Sequence, residues 1–203
     1  MVLLNDLLEA ADFPAAVEGL AADFRRAHHL PPIHQLGLVA PSAEAAAGEL
    51  EARGIGPFFI AAGAPVRWRE RGQERKFAGK LALAYHRGYE LEPLEPGEGS
   101  DFYRRSLDPA GRIVVQHLGM LVPDVDDWAQ RMERAGFPIW VRGRLKSGPM
   151  LTDFAYMDTE AEAGLVIEFI RWTIFGREFS PPPTLIHTIG RLQRWSGKRC
   201  LAM

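Results

Sequence analysis

Along residues 3 to 29 the apolar positions recur at helical spacing: Leu4, Leu7 and Leu8, then Val17, Leu20 and Phe24, with an interruption near Pro14. Pro31 and Pro32 close this stretch, which predicts a helical extension, residues 1–30, packed on the outside of the main domain. Beyond it the pattern changes character and then repeats. HQLGLVAPSAEAAAGELEARGI, starting at His34, lies over QHLGMLVPDVDDWAQRMERAGF, starting at Gln116, at a constant offset of 82 residues and without a gap. The register superposes Leu36 on Leu118, Gly37 on Gly119, Pro41 on Pro123, Ala47 on Ala129, Glu51 on Glu133 and Gly54 on Gly136. Each copy reads as a strand, a turn carrying proline, and an amphipathic helix ended by glycine.

Further strand-like runs follow each helix. They are PFFIAAG, KLALAYH and YELEPLEP in the first copy, and PIWVRGRL, TDFAYMD and GLVIEFIRW in the second. The predicted fold class is therefore α+β, two tandem βαβββ modules spanning 31–97 and 114–172. The stretch 98–113, rich in Gly, Ser and charge, links them. In the tail, 173–203, the run SPPPT at 180–184 breaks the chain before a short basic amphipathic helix over roughly 184–195.

Composition narrows the classes. In 203 residues, 47% are hydrophobic and 25% charged, the balance of an ordinary globular protein. A formal net charge of -2 gives no general attraction to nucleic acid or to an anionic membrane. No apolar run approaches the roughly 20 residues that span a bilayer. The N-terminal Asp6, Glu9 and Asp12 are unlike a signal peptide, and the single cysteine, Cys200, allows no internal disulfide. These features lead to the expectation of a cytoplasmic protein without membrane or nucleic-acid partners.

The last strand of each copy carries the candidate chemistry. In GLVIEFIRW, Glu168 shares a face with Val166 and Ile170, and a carboxylate among apolar neighbours must be paired, protonated or metal-bound. An arginine partner for Glu168 stays open as the plain alternative. In YELEPLEP, Glu90, Glu92 and Leu94 share a face, which a solvated edge strand would also show. In the first strands, the ungapped register aligns Gln35, not His34, with His117. Gln35 and His117 then share a face with Gly37 and Gly119, whose missing side chains leave room, while His34 is expected on the helix-packed face with Leu36 and Leu38. A pseudo-two-fold arrangement brings Gln35, Glu92, His117 and Glu168 together. That mixed N/O set suits Zn, Ni, Co, Mn or Fe. The basic run RWRERGQER at 67–75 reads as a solvated hairpin or, less simply, as an anion clamp. Trp68, Tyr85, Trp140, Phe154 and Tyr156 read as core or pocket wall, and His28, His29, His86 and His187 as surface or satisfied histidines.

The strand starts QLGLVAP and HLGMLVP, the Glu-x-x-x-Pro of ELEPLEP (Glu92 to Pro96), FAYMDT and the terminal VIEFI together resemble the vicinal oxygen chelate superfamily. Its members include glyoxalase I, methylmalonyl-CoA epimerase, extradiol dioxygenases and the fosfomycin and bleomycin resistance proteins. The resemblance covers about residues 31 to 172. It implies a curved, barrel-like mixed sheet around a metal cavity, with one divalent ion held by Gln35, Glu92, His117 and Glu168. Gln35 departs from the histidine usual in the epimerase, and is similar to the Gln/Glu/His/Glu set of the mammalian-type glyoxalase I. The implied function is a divalent-metal-dependent lyase or isomerase/epimerase that moves a proton next to a metal-polarised carbonyl of a small organic substrate. Glu168, or else Glu92, serves as general base. Two rivals share the fold: a metal-dependent dioxygenase, and a non-catalytic protein that sequesters an aromatic or hydrophobic small molecule. Such modules can be completed within one chain or across a homodimer.

Overall fold

The computed structural model describes residues 1–202, and its elements follow the repeat. The first module runs β1 (Gln35–Val39), α1 (Ala43–Ala52), β2 (Phe59–Gly63), β3 (Gly79–His86) and β4 (Tyr89–Leu94). The second runs β5 (Val114–Leu121), α2 (Val125–Arg134), β6 (Ile139–Ser147), β7 (Met150–Met157) and β8 (Val166–Ile174). Each long helix starts where its sequence supplies a cap: Ser42 accepts from the Ala45 amide, and Asp124 from the amides of Asp126 and Asp127.

All these strands join one mixed sheet in the order β2-β3-β4-β1-β5-β8-β7-β6, so the second module repeats the first in mirror order. At the centre β1 and β5 pair antiparallel, and each first strand pairs parallel with the last strand of its own module. The sheet curls into an open half-barrel with two unlike faces. Toward the helices, Leu36, Leu38, Leu118, Met120, Ile167 and Phe169 are fully buried and pack with Ala47 and Leu50 of α1 and Ala129 and Met132 of α2. Toward the concave side lies a second, aromatic cluster of Trp68, Phe102, Tyr103, Trp140, Phe154 and Tyr156. Burying a large side chain of this kind is worth roughly 1.5–3 kcal/mol. The alternation of strand residues decides which of the two cores each one enters.

Segments outside the repeat do more than connect. Val2–Leu3 adds a short strand against β5, and three short helices follow, Leu4–Leu8, Phe13–Glu18 and Ala22–Ala27. Pro14 does not interrupt a helix but sits in the first turn of the second, after the Asp12 cap, where a missing N–H costs nothing. Leu4, Leu7, Phe13 and Val17 are buried in the helix-side core. The basic run at 67–75 is a hairpin, Arg67–Glu70 with Gln73–Glu74, and it pairs with β6 of the other module. Residues 98–113 carry Phe102 and Tyr103 into the aromatic cluster, so this stretch walls the concave side as well as linking. The predicted tail helix is α3 (Pro183–Ser196). It docks on β2, where the buried Gln193 amide donates to the Ile60 carbonyl at 2.7 Å and accepts from the Ile60 amide at 2.8 Å.

Candidate metal centre

The register of the four central strands places the site. Across the sheet, one row reads Glu90, Gln35, Gly119, Glu168 and the next reads Glu92, Gly37, His117, Val166. A two-fold turn between β1 and β5 exchanges Gln35 with His117, Gly37 with Gly119, and Glu92 with Glu168. Each first-strand side chain therefore leans over a glycine of the opposite module. A Cβ on Gly37 would overlap the His117 ring, and one on Gly119 would meet Gln35 Oε1 at 2.7 Å.

His117 is fully buried, and its Nε2 lies 3.1 Å from Glu168 Oε2 and 3.6 Å from Glu92 Oε2. Suitable ligand atoms of the three residues all lie within 4.8 Å of one another. Gln35 lines the same cavity, and all four side chains come from a single chain. Glu168 is 4% exposed and its nearest cation is His117, so the arginine alternative does not hold. His34 differs from expectation. It precedes β1, lies half-buried with its ring against Trp172 and Tyr85, and is not packed under a helix. Burial holds it mostly neutral, with its pKa lowered to about 4.

Among the described residues, Gln35 Oε1 is buried without a hydrogen-bond partner, and His117 Nε2 and Glu168 Oε2 are buried facing each other at 3.1 Å without hydrogen-bond geometry. Orphaned buried polar atoms are costly, each about 1–3 kcal/mol. Here they belong to one imidazole, one carboxylate and one amide converging beside a second carboxylate, a donor set that a divalent cation satisfies. The charges agree. Burial pulls the His117 pKa down, but the Glu168 and Glu92 carboxylates push it up to about 9, so in this arrangement a proton does part of a cation's work. Burial, then the charge of Glu168, raises Glu92 against the opposing pull of His117.

Four supporting residues have roles that the sequence did not assign, although it placed Tyr156 in the core or pocket wall and Glu90 on the face of Glu92. Gln116 is the extra residue of a β-bulge in β5: Gly37 faces His117 while Leu38 faces Val115. The bulge lets His117 Nδ1–H donate to Gln116 Oε1 at 2.6 Å, which holds the ring with Nε2 toward Glu168 and Glu92. Glu90, fully buried, accepts from Gln35 Nε2 at 2.6 Å, which leaves Gln35 Oε1 over Gly119 without a partner. Burial and then the Glu92 charge push Glu90 up to about 8. Tyr103 and Tyr156 share a hydroxyl hydrogen bond of 2.9 Å beside His117, and burial raises both well above the ordinary tyrosine value. The signal for Glu90 was its place on the face of Glu92. A bulge and a linker tyrosine leave no comparable periodic trace.

Above the cluster the concave face holds a cavity of about 420 Å³ walled by Trp68, Phe77, Leu83, Phe154, Trp172 and Ile189. That is within the ordinary size of a small-molecule site. The basic hairpin is not its floor: Arg69 bonds the Gly72 carbonyl and Arg71 pairs with Asp158. Among the described residues no helix is long and apolar enough to cross a membrane.

No protein-family model and no curated protein sequence matches the chain. Solved structures are similar to it at a distance. A methylmalonyl-CoA epimerase of Streptomyces coelicolor in complex with 2-nitronate-propionyl-CoA shares 18% identity at a TM-score of 0.45, over 74% of this chain and 99% of that one. The epimerase of Mycobacterium tuberculosis shares 15% at 0.44, over 71% and 93%. A mutant 4-hydroxymandelate synthase of Streptomyces coelicolor shares 14% at 0.48, over 81% and 55%. Both epimerase and synthase are of the vicinal oxygen chelate superfamily, the group that the strand motifs resemble. The similarity is one of chain path, and what the site can do follows from its own residues.

Proposed function

We propose that this protein is a divalent-metal-dependent lyase or isomerase of the glyoxalase/epimerase type, which transfers a proton next to a carbonyl of a small organic substrate. One observation supports this most strongly: the ligand atoms of Glu92, His117 and Glu168 converge in a buried space where His117 Nε2 and Glu168 Oε2 face each other at 3.1 Å and Gln35 Oε1 has no hydrogen-bond partner. An ion held by Gln35, Glu92, His117 and Glu168 would act as a Lewis acid on the substrate oxygen and lower the pKa of the adjacent C–H.

The chain's own groups do the rest. Glu168, which lines the cavity, is the base that takes the proton from carbon; Glu92, on the other side of His117, is the second acid available to return it. Gln116 holds the His117 ring in one orientation. The apolar walls keep water from the reacting carbon.

The test is exchange of the acidic C–H of α-hydroxyacetophenone with deuterium from solvent, followed by NMR with zinc-loaded protein. Glu168→Gln keeps the size and an oxygen donor but removes the base, so it retains zinc and loses exchange by about 10²–10⁴-fold. Exchange at the wild-type rate would leave Glu168 a ligand only. Oxygen consumption with iron, without exchange, would move the assignment to a dioxygenase.

A further inference from the structure

Resting on the metal-site reading above, we infer that the substrate is an uncharged, ring- or alkyl-bearing carbonyl compound, and that this site discriminates against anionic acids of the same size. Two sets of residues carry the inference, the walls and the charges.

The walls are apolar on every side. β2, β3, β7, β8 and α3 supply Phe59, Leu81, Leu83, Phe154, Ile174 and Ile189, and the hairpin adds Trp68. Besides Lys80, Ser147 and Thr152, the polar residues lining this space are Gln35, Glu92 and Glu168 of the metal cluster, Glu90 and the Tyr103–Tyr156 pair. A ligand seated here offers one polar end to that cluster and leaves the rest of its surface against hydrocarbon. Each buried CH₂ equivalent there favours binding by about 0.8 kcal/mol.

The charges exclude an acid. Among the described lining residues, Lys80 is the one cationic side chain, and its Nζ turns away to Glu44 Oε2 at 3.4 Å, on the helix side of the sheet. The other charged lining residues are Glu90, Glu92 and Glu168. A divalent ion on Glu92 and Glu168 leaves that cluster with no surplus positive charge, and Glu90 sits beside it. A carboxylate entering this space loses its hydration, meets no unpaired cationic side chain, and finds the charge of the ion already offset by Glu92 and Glu168, which is expensive in a poorly solvated cavity.

The full chain loaded with zinc is titrated calorimetrically with α-hydroxyacetophenone, which is neutral, and with benzoylformate, an anion of similar size that also carries two oxygens able to chelate. Zinc stoichiometry is measured on the same sample. The neutral ketone is expected to bind at least tenfold more tightly. Equal or tighter binding of benzoylformate overturns the inference, as does failure of the ketone to bind at all. The two readings fail separately. Zinc bound without a preference for the ketone sinks this one alone; preference for the ketone without zinc sinks the metal-dependent reaction and leaves the cavity's ligand class standing.

Discussion

At the scale of single residues, the site depends on absences as much as on donors. Gly37 and Gly119 leave the space that the His117 ring and Gln35 fill from the opposite module, and their equivalence under the 82-residue repeat is what pointed to Gln35 rather than His34. Glu90 breaks that symmetry, since its counterpart across the two-fold is the apolar Val166. Its carboxylate accepts from the Gln35 amide nitrogen, leaving the amide oxygen without a partner. Glu90→Val, which copies the other module, removes that acceptor and lets the amide turn. Zinc affinity measured by calorimetry is expected to fall about 10–100-fold. The apo protein should lose no stability, because a desolvated carboxylate leaves the core. Glu90→Gln retains an acceptor and should restore most of the affinity. Unchanged zinc binding in Glu90→Val would show that Gln35 is oriented by something else. The sequence alone could place Glu90 on the right face but could not assign it a partner, because two strands out of register by one residue would have separated the pair.

At the scale of elements, strand alternation and the repeat made the two modules legible, along with their helix caps and the tail helix. Three things left no periodic mark. The bulge at Gln116 shifts pairing by one residue and turns a side chain expected among helices toward the His117 ring. The hairpin at 67–75 pairs with the far module, a contact with no local signal. The linker's Phe102 and Tyr103 enter the concave core although its composition reads as a spacer. Helix α3 is the fourth case: its helical period was clear, but its dock was not. Gln193 satisfies both backbone groups of Ile60 on β2, and Gly190 lets the helix approach the Phe58 carbonyl, which a Cβ would meet at 2.6 Å. Gln193→Ala strands two buried backbone groups, at a cost of about 2 kcal/mol or more. Thermal unfolding should show a midpoint lower by roughly 4–8 °C, using the scaling for chains of this size. A shift under about 1 °C would mean that α3 does not hold β2.

At the scale of the whole molecule, a duplicated strand–helix–three-strand unit forms an open half-barrel whose central antiparallel pair gathers one polar group from the first strand and one from the last strand of each copy. Curvature gives the sheet a helix-covered face and a concave, aromatic one, and α3 walls the latter into a cavity. The polar cluster at its floor is only partly satisfied by the chain itself and is expected to be completed by a single divalent ion. Because the ion binds the folded chain, it should also stabilise it. At one hundred times the dissociation constant the gain is about 2.7 kcal/mol, or roughly 5–10 °C in melting temperature. The deciding measurement is calorimetric titration of chelator-stripped protein with zinc, paired with its melting curve, for wild type and His117→Ala. The expected result is one ion per chain and a raised melting temperature in the wild type, with both lost in the variant. No zinc binding by the wild type, or undiminished binding by His117→Ala, would contradict the assignment of Gln35, Glu92, His117 and Glu168 as a metal centre.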